Sequence, residues 1–298
     1  MLSLNLGRFL GRTDGGSIAD SPLPPPEMLP APSEPERPEV PSGPWPPDRL
    51  AVTDRLWGPG FTLPGGEAEI LRLTRPLGAS GDNRLLLVGA GGGGCATAIV
   101  RDTHTRVTAL EAEPQLLAVA RARAEAENMV RKIALASWDP NHPAFPKGSH
   151  RNCLALEPMR LAVCTVVLPA LAAAIETGGS LVVVDLIGTE PLLVGDPLVD
   201  RWVRLDLRDP GVIPTAGAVA AVMEACGMDL RIAEDISHRH MDQALRGWRA
   251  LLAGLAHQKP SVREAARMVS EAELWLLRQR LIETGRLRLM RWHAIRRR

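Results

Sequence analysis

The residues of this chain with the clearest chemical meaning are five glycines and one glutamate. Five of the six residues at positions 89–94 are glycine, and they follow a short apolar run at 85–88. A second apolar run, at 106–110, ends in Glu111. This pattern predicts a mononucleotide-binding β-α-β unit, in which a buried strand leads through a glycine turn into a helix and the next strand ends in an acid. Glycines let a ligand approach the backbone, and Glu111 can accept hydrogen bonds from two ribose hydroxyls, so we expect a nucleoside-bearing ligand.

The composition is that of an ordinary soluble protein with one large core. The chain has 298 residues, of which 45% are apolar and 23% charged, and its formal net charge is +1. A nearly neutral chain has no global field that would favour nucleic acid or an anionic membrane surface, so neither partner is expected. The apolar stretch 161–175 is too short for stable membrane insertion and contains Pro169. Four scattered cysteines favour buried, reduced thiols and a cytoplasmic location.

The distribution of proline divides the chain into an arm and a folded domain. Twelve of the 27 residues between Ser21 and Pro47 are proline, so residues 1–47 are predicted to be a disordered arm. The arm is interpreted as a plain spacer, and docking of a protein partner is the alternative. From residue 48 to 298, helix and strand signals alternate, which predicts an α/β fold with a doubly wound, mostly parallel sheet. The last alternating run, LRLMRWHAI, predicts an antiparallel edge strand. The segment from about 238 to 284 is predicted to be a helical insertion that covers the substrate side.

Three further passages carry a resemblance to a known family. They are WGPGFTLPGG at 57–66, ETGGSLVVVDLI at 176–187 and AEDIS at 233–237. In this order they resemble the closing segment, the entry to the fifth strand and the substrate-side passage of class I S-adenosylmethionine-dependent methyltransferases. The phosphoethanolamine and glycine/sarcosine enzymes are the most similar in kind. The resemblance runs from residue 57 to the end of the sequence and implies a Rossmann-like methyltransferase fold with S-adenosylmethionine as cofactor.

The resemblance also assigns roles to individual residues. It implies that Gly89, Gly91 and Gly93 hold the amino-acid part of the cofactor. Glu111, the acid after the second strand, would bind the ribose. The adenine would be surrounded by Ala112, Trp138 and Asp139. The alternatives are a packing role for Trp138 and a solvated strand end for Glu111. The chain departs from the pattern in three places. Many members have an acid where this chain has Leu87, the closing segment often has a tyrosine that this chain lacks, and the histidine that some phosphoethanolamine enzymes have after the fourth strand is missing.

Few residues are candidates for proton transfer. Glu157 follows the predicted fourth strand and is the candidate general base, with a helix-start residue as the alternative interpretation. His238 and His240 are interpreted as solvated residues at a helix start. Their spacing does not suit one helix face, so no metal site is predicted.

These observations support one main hypothesis and two alternatives. The first is an enzyme that transfers a methyl group from S-adenosylmethionine to a nitrogen or oxygen of a small-molecule substrate. The second is a non-catalytic, methyltransferase-like partner or scaffold protein, suggested by Leu87 and by the lack of tyrosine in the closing segment. The third is a nicotinamide-dependent oxidoreductase, because Gly89, Gly91 and Gly94 also satisfy the dinucleotide pattern G-x-G-x-x-G.

Overall fold

The computed structural model of this protein describes residues 43–192, 195–208, 210–256 and 259–297. Most of the predicted arm, residues 1–42, lies outside this part of the chain. The strands are β1 (Arg84–Val88), β2 (Arg106–Glu111), β3 (Ile133–Ser137), β4 (His150–Leu156), β5 (Ile175–Gly188), β6 (Met228–Asp235) and β7 (Leu287–Arg296). The helices are α1 (Pro47–Trp57), α2 (Gly66–Thr74), α3 (Gly94–Thr103), α4 (Pro114–Ala126), α5 (Cys164–Ala174), α6 (Pro197–Asp206), α7 (Ala216–Ala225), α8 (Ser237–Leu255) and α9 (Val262–Glu283).

The seven strands form one sheet that is apolar on both faces. Leu85 and Leu87 of β1 point into a layer shared with α1, α2, α3, α6, α8 and α9. Leu86 and Val88 point the other way, into a layer shared with α5 and α7. Strands β1 to β5 pair in parallel with one another, as expected for a sheet built from crossover connections. The predicted doubly wound, mostly parallel sheet is confirmed.

The C-terminal strand runs in the predicted direction but does not lie at the edge of the sheet. The strand order is β3-β2-β1-β4-β5-β7-β6, and β7 pairs antiparallel with both β5 and β6. The predicted edge position of β7 is therefore wrong, and β6 is the edge strand on that side. The alternation of apolar and polar residues in β7 reports which side chains point to each face. It carries no information on whether one or both edges of the strand are paired.

The predicted helical cover corresponds to α8 and α9, which lie between β6 and β7 in sequence and pack against α1. The described part of the chain contains no helix that is long and apolar enough to cross a bilayer.

The folded part of the chain begins earlier than the predicted boundary at residue 48. Trp45 is only 5% exposed, and its backbone N–H donates to Gln115 Oε1 at 2.9 Å. Helix α1 begins at Pro47, a residue suited to the first helical position because its missing N–H is not needed there. Residues 43–47 thus belong to the folded domain, although the proline content of the sequence placed them in the arm.

Candidate active site

The glycine turn connects β1 to α3 at the C-terminal edge of the sheet. Gly89, Gly91 and Gly93 all have positive φ angles, of 79°, 59° and 89°. A side chain at Gly89 would collide with the carbonyl oxygen of Leu156, and one at Gly93 would lie 2.9 Å from Ala120 Cα. These two glycines are therefore required by the packing of the chain itself. The turn lies at the predicted position, between the first strand and the helix that follows it.

Glu111 lies at the end of β2 and points back at the glycine turn. Its side chain is buried, at 5% exposure, so the alternative of a solvated strand end is wrong. Oε2 accepts a hydrogen bond from the Gly91 N–H at 2.7 Å, and Oε1 accepts one from the Glu113 N–H at 3.0 Å. Burial raises the pKa of this carboxyl group, and the two N–H groups offset part of the increase. Glu111 therefore fixes the turn and places a carboxylate beside Gly91.

The segment at residues 57–66 lies over this turn, where the resemblance placed a cofactor-closing segment. The Gly94 N–H, at the start of α3, donates to Gly60 O at 3.1 Å. A side chain at Gly91 would lie 3.0 Å from Thr62 Oγ1, so Thr62 occupies the space above this glycine. Gly60 is held in turn by a hydrogen bond from its N–H to Asp54 Oδ1 of α1 at 2.8 Å. In this conformation the chain itself covers the glycine turn.

The residues predicted to surround an adenine follow directly after β2 and β3, which are neighbouring strands. Trp138 is buried, its ring centroid is 5.7 Å from that of Phe145, and the half-buried Ala112 packs against the same cluster. The indole Nε1 of Trp138 is buried and has no hydrogen-bond partner in the described residues. Asp139 is exposed, and its carboxylate accepts from the Asn141 N–H at 2.9 Å. That hydrogen bond and a contact with His142 lower the pKa of Asp139.

Glu157 belongs to an ion network instead of facing an open cleft. Its Oε2 is 3.2 Å from Arg208 Nη2 and its Oε1 is 3.6 Å from Arg278 Nη1. The Arg208 side chain is fully buried and also contacts Asp185 at 3.2 Å and Asp206 at 3.0 Å. The Oε1 atom of Glu157 makes no hydrogen bond within the described residues, so the assignment of this carboxylate as a general base stays a prediction.

The network continues into the helices that cover this end of the sheet. Arg278 of α9 contacts Asp206 at 2.9 Å, and Arg49 of α1 contacts Glu271 of α9 at 2.6 Å. Burial alone would raise the pKa of Asp206, but Arg278, Arg208 and Arg160 together lower it. A cavity of about 40 Å³, here called the inner cavity, lies among these helices. Its charged lining residues are Arg49, Glu157, Arg160, Asp206, Glu271 and Arg278, and it is also lined by Trp45, Trp57, Thr62 and Trp275. Sequence reasoning missed the network, because its members are far apart in the chain and share no motif.

The two histidines of α8 differ from each other. His238 is exposed and lies 3.3 Å from Asp242. His240 is buried beside Trp275, so its interpretation as a solvated residue is wrong. Burial and the charge of Arg278 lower the pKa of His240 to about 3, and its Nε2 has no hydrogen-bond partner in the described part of the chain. No cluster of three or more potential metal ligands occurs among the described residues.

Comparison with known proteins places the fold in one class. No family model matches the sequence, and no curated protein matches it. A phosphoethanolamine N-methyltransferase 2 of Haemonchus contortus, solved with phosphomonomethylethanolamine and S-adenosylhomocysteine, is similar in structure at a TM-score of 0.72 and 16% identity. The match covers 84% of this chain but only 57% of that enzyme, so this chain spans little more than half the enzyme's length.

Two other solved structures widen the comparison. The geranyl diphosphate C-methyltransferase of Streptomyces coelicolor A3(2) matches at a TM-score of 0.58 and 16% identity, over 77% of both chains. A cyclase, SpnF, matches at a TM-score of 0.61 and 17% identity, over 84% of this chain and 93% of its own. These likenesses confirm the fold of class I S-adenosylmethionine-dependent methyltransferases. At such identities they establish the fold alone, since one fold hosts many activities.

Proposed function

We propose that this chain binds S-adenosylmethionine over the glycine turn and transfers its methyl group to a nitrogen or oxygen atom of a small molecule. The observation that carries the proposal is the buried carboxylate of Glu111, held against Gly91 N at the end of β2. A carboxylate beside a glycine turn at the C-terminal edge of a parallel sheet suits a nucleoside ligand. The methyltransferase structures with the same fold, two of them solved with S-adenosylhomocysteine, support the choice of cofactor.

The nucleoside half of the cofactor fits the residues present. Glu111 would accept hydrogen bonds from the ribose hydroxyls, and Ala112, Trp138 and Asp139 would border the adenine. The buried Trp138 Nε1–H lacks a partner within the described chain, and a ligand acceptor would satisfy it. Gly91 would lie under the amino-acid half once Thr62 moves from its position 3.0 Å from the Cβ site of that glycine.

The remaining work of the protein is binding, orientation and exclusion of water. S-adenosylmethionine carries its own reactive methyl group on a sulfonium, so the protein needs no nucleophile of its own. Binding would require the segment at 57–66 to lift and then close again, because Gly60 and Thr62 cover the turn. Reclosure would hold the ligand and exclude water from the transfer. The acceptor would enter beside the inner cavity, which must expand from about 40 Å³ to admit it.

Calorimetric titration of the full chain tests the proposal. S-adenosylmethionine and S-adenosylhomocysteine should bind, and a nicotinamide dinucleotide should not. Glu111→Gln should weaken both interactions, because it removes one acceptor and the charge. Glu125→Gln, at an exposed position of α4, is the matched control and should leave both unchanged. Tight binding of the nicotinamide dinucleotide instead would favour the oxidoreductase hypothesis.

A second candidate function is that of a non-catalytic partner or scaffold protein with this fold. The observation that favours it is the ion network, in which the fully buried Arg208 is shared by Glu157, Asp185 and Asp206 where an acceptor would lie. Such a network is costly to open, because separating a buried pair leaves uncompensated charges. This function would be supported by a folded protein that binds neither S-adenosylmethionine, S-adenosylhomocysteine nor the nicotinamide dinucleotide at millimolar concentration.

A further inference from the structure

A second cavity, of about 390 Å³, opens beside Asp139, and it is called the outer cavity here. Its walls come from the β3–β4 connection, the residues after β4, the first turn of α5 and the residues after α6. Asn141 and Arg160 are the two lining residues with polar side chains. The remaining lining residues are Pro140, Leu161, Ala162, Val163, Val166, Leu207 and Val212. The volume is within the range of small-molecule sites.

Arg160 lies between the two cavities, because it lines both of them. The other arginines of the inner cavity, Arg49 and Arg278, form ion pairs with carboxylates. Arg160 has no carboxylate within ion-pair distance in the described chain; its Nη2 donates to the backbone oxygen of Asp206 at 3.2 Å. Its Nε is buried without a hydrogen-bond partner among the described residues. A buried guanidinium N–H without a partner is costly, and a rotation of the Arg160 side chain that brought this N–H to an anionic ligand oxygen would relieve that cost.

The start of α5 provides a second source of positive potential at the outer cavity. The helix begins at Cys164, and Ala162, Val163 and Val166 line the cavity. The N-cap residue is Val163, whose side chain has no acceptor, so the first-turn amides receive no side-chain cap. The N-terminal end of this 11-residue helix therefore adds to the charge of Arg160.

The apolar walls indicate what else the ligand must carry. Val163 and Val166 are each 44% exposed and Leu207 is 52% exposed, which is unusual for large apolar side chains grouped around one opening. An apolar ligand body of a few carbon atoms would cover them and be favoured by the removal of that surface from water. We propose that the outer cavity binds a small amphiphilic anion, an apolar body with a carboxylate or phosphate group that pairs with Arg160. This goes beyond the proposed methyl transfer and does not require it.

The test is calorimetric titration of the full chain, without any nucleoside, with octanoate, octyl phosphate and 1-octanol. Both anions should bind, and octanol should bind at least tenfold more weakly. Arg160→Leu should weaken the binding of both anions roughly tenfold to hundredfold, the usual worth of a charge-assisted hydrogen bond. Arg160→Lys should fall between. The matched control is Arg121→Leu on the exposed face of α4, which should bind like the wild type.

A further variant keeps the test independent of folding. Leu207→Asp places a negative charge at an exposed wall position and should weaken both anions while leaving the far-ultraviolet circular dichroism spectrum unchanged. Equal binding of octanol and octanoate, or unchanged binding in Arg160→Leu, would overturn the proposal. So would displacement of octyl phosphate by S-adenosylhomocysteine, because the outer cavity would then be part of the cofactor site. Since the direct titrations with octanoate, octyl phosphate and 1-octanol contain no cofactor, their failure is distinguishable from failure of the proposed methyl transfer.

Discussion

Replacement of Glu111 by alanine should affect both folding and ligand binding. The carboxylate is buried and accepts two backbone N–H groups, from Gly91 at 2.7 Å and from Glu113 at 3.0 Å. Each hydrogen bond to a charged group contributes about 1.5–3 kcal/mol, and the cost of burying the ionised carboxylate offsets part of the sum. We therefore expect Glu111→Ala to lower the free energy of unfolding by about 2 kcal/mol. Urea denaturation followed by circular dichroism measures this difference.

The controls for this prediction separate the contact from the loss of charge. Glu111→Gln should be intermediate, because one oxygen remains and its amide faces the other N–H. Glu125→Ala, at an exposed site of α4, should change stability by less than about 0.5 kcal/mol. The same Glu111→Ala protein should lose roughly thirtyfold to hundredfold in S-adenosylmethionine affinity. A Glu111→Ala protein as stable as the wild type would refute the role assigned to this carboxylate in holding the turn.

The pH dependence provides an independent check on the burial of Glu111. Its pKa is raised in the folded state, so folding is favoured where the group is protonated, and this contribution is lost as pH rises through the folded pKa. The wild type should gain stability relative to Glu111→Gln as the pH falls towards 4.5, the ordinary pKa of a glutamate. Parallel stability curves for the two proteins would contradict the burial argument.

Three other substitutions test separate features. Gly91→Ala should destabilise the protein by about 1 kcal/mol more than Gly148→Ala, because Gly148 has a similar φ but open space around it. Combining Gly91→Ala with Thr62→Ala should remove most of that difference, as measured by urea titration of the single and double variants. The wild type should lose about 2 kcal/mol of stability between pH 8 and 5, because His240 is protonated in the unfolded chain but stays neutral in the folded one, where its pKa is about 3. His240→Phe should not show this loss, and parallel pH curves for the two proteins would contradict the burial of His240. Trp45→Ala should cost about 3 kcal/mol in thermal unfolding, as for other buried tryptophans, and a melting temperature equal to the wild type would mean that residue 45 lies outside the core.

Local patterns were sufficient to predict the parts of the fold that depend on neighbouring residues. The glycine turn, β1 and β2 follow from short apolar runs and from glycines at consecutive positions, and both strands were predicted to within one residue. The position of β7 between β5 and β6 depends on pairing between strands far apart in sequence. A pattern within one strand cannot report that pairing, which is why the edge prediction was wrong.

The candidate site was predictable to the same extent. Glu111 and Gly91 were assigned from their position after a strand and in the turn, and the structure brings them into contact. The ion network of Arg208 and Arg278 had no local signal, because its partners come from four separate elements. His240 did have one: it lies on the buried face of α8 with Ser237, Ala244 and Leu251, at helical spacing. This helical spacing predicts that His240 lies on the buried face of α8, even though the residue is polar.

The insertion of β7 has a consequence for how the chain folds as it is synthesised. The edge of β5 that pairs with β7 runs from Ser180 to Gly188, and its partner residues begin at Leu287. Synthesis of the intervening stretch of about 100 residues takes roughly 5–20 s at ordinary translation rates. During that time β5, an apolar strand, presents an open edge on the nascent chain, which is the kind of surface that pairs with other chains. Two of the six strand pairings in the sheet, β5 with β7 and β7 with β6, can form only after β7 has left the ribosome.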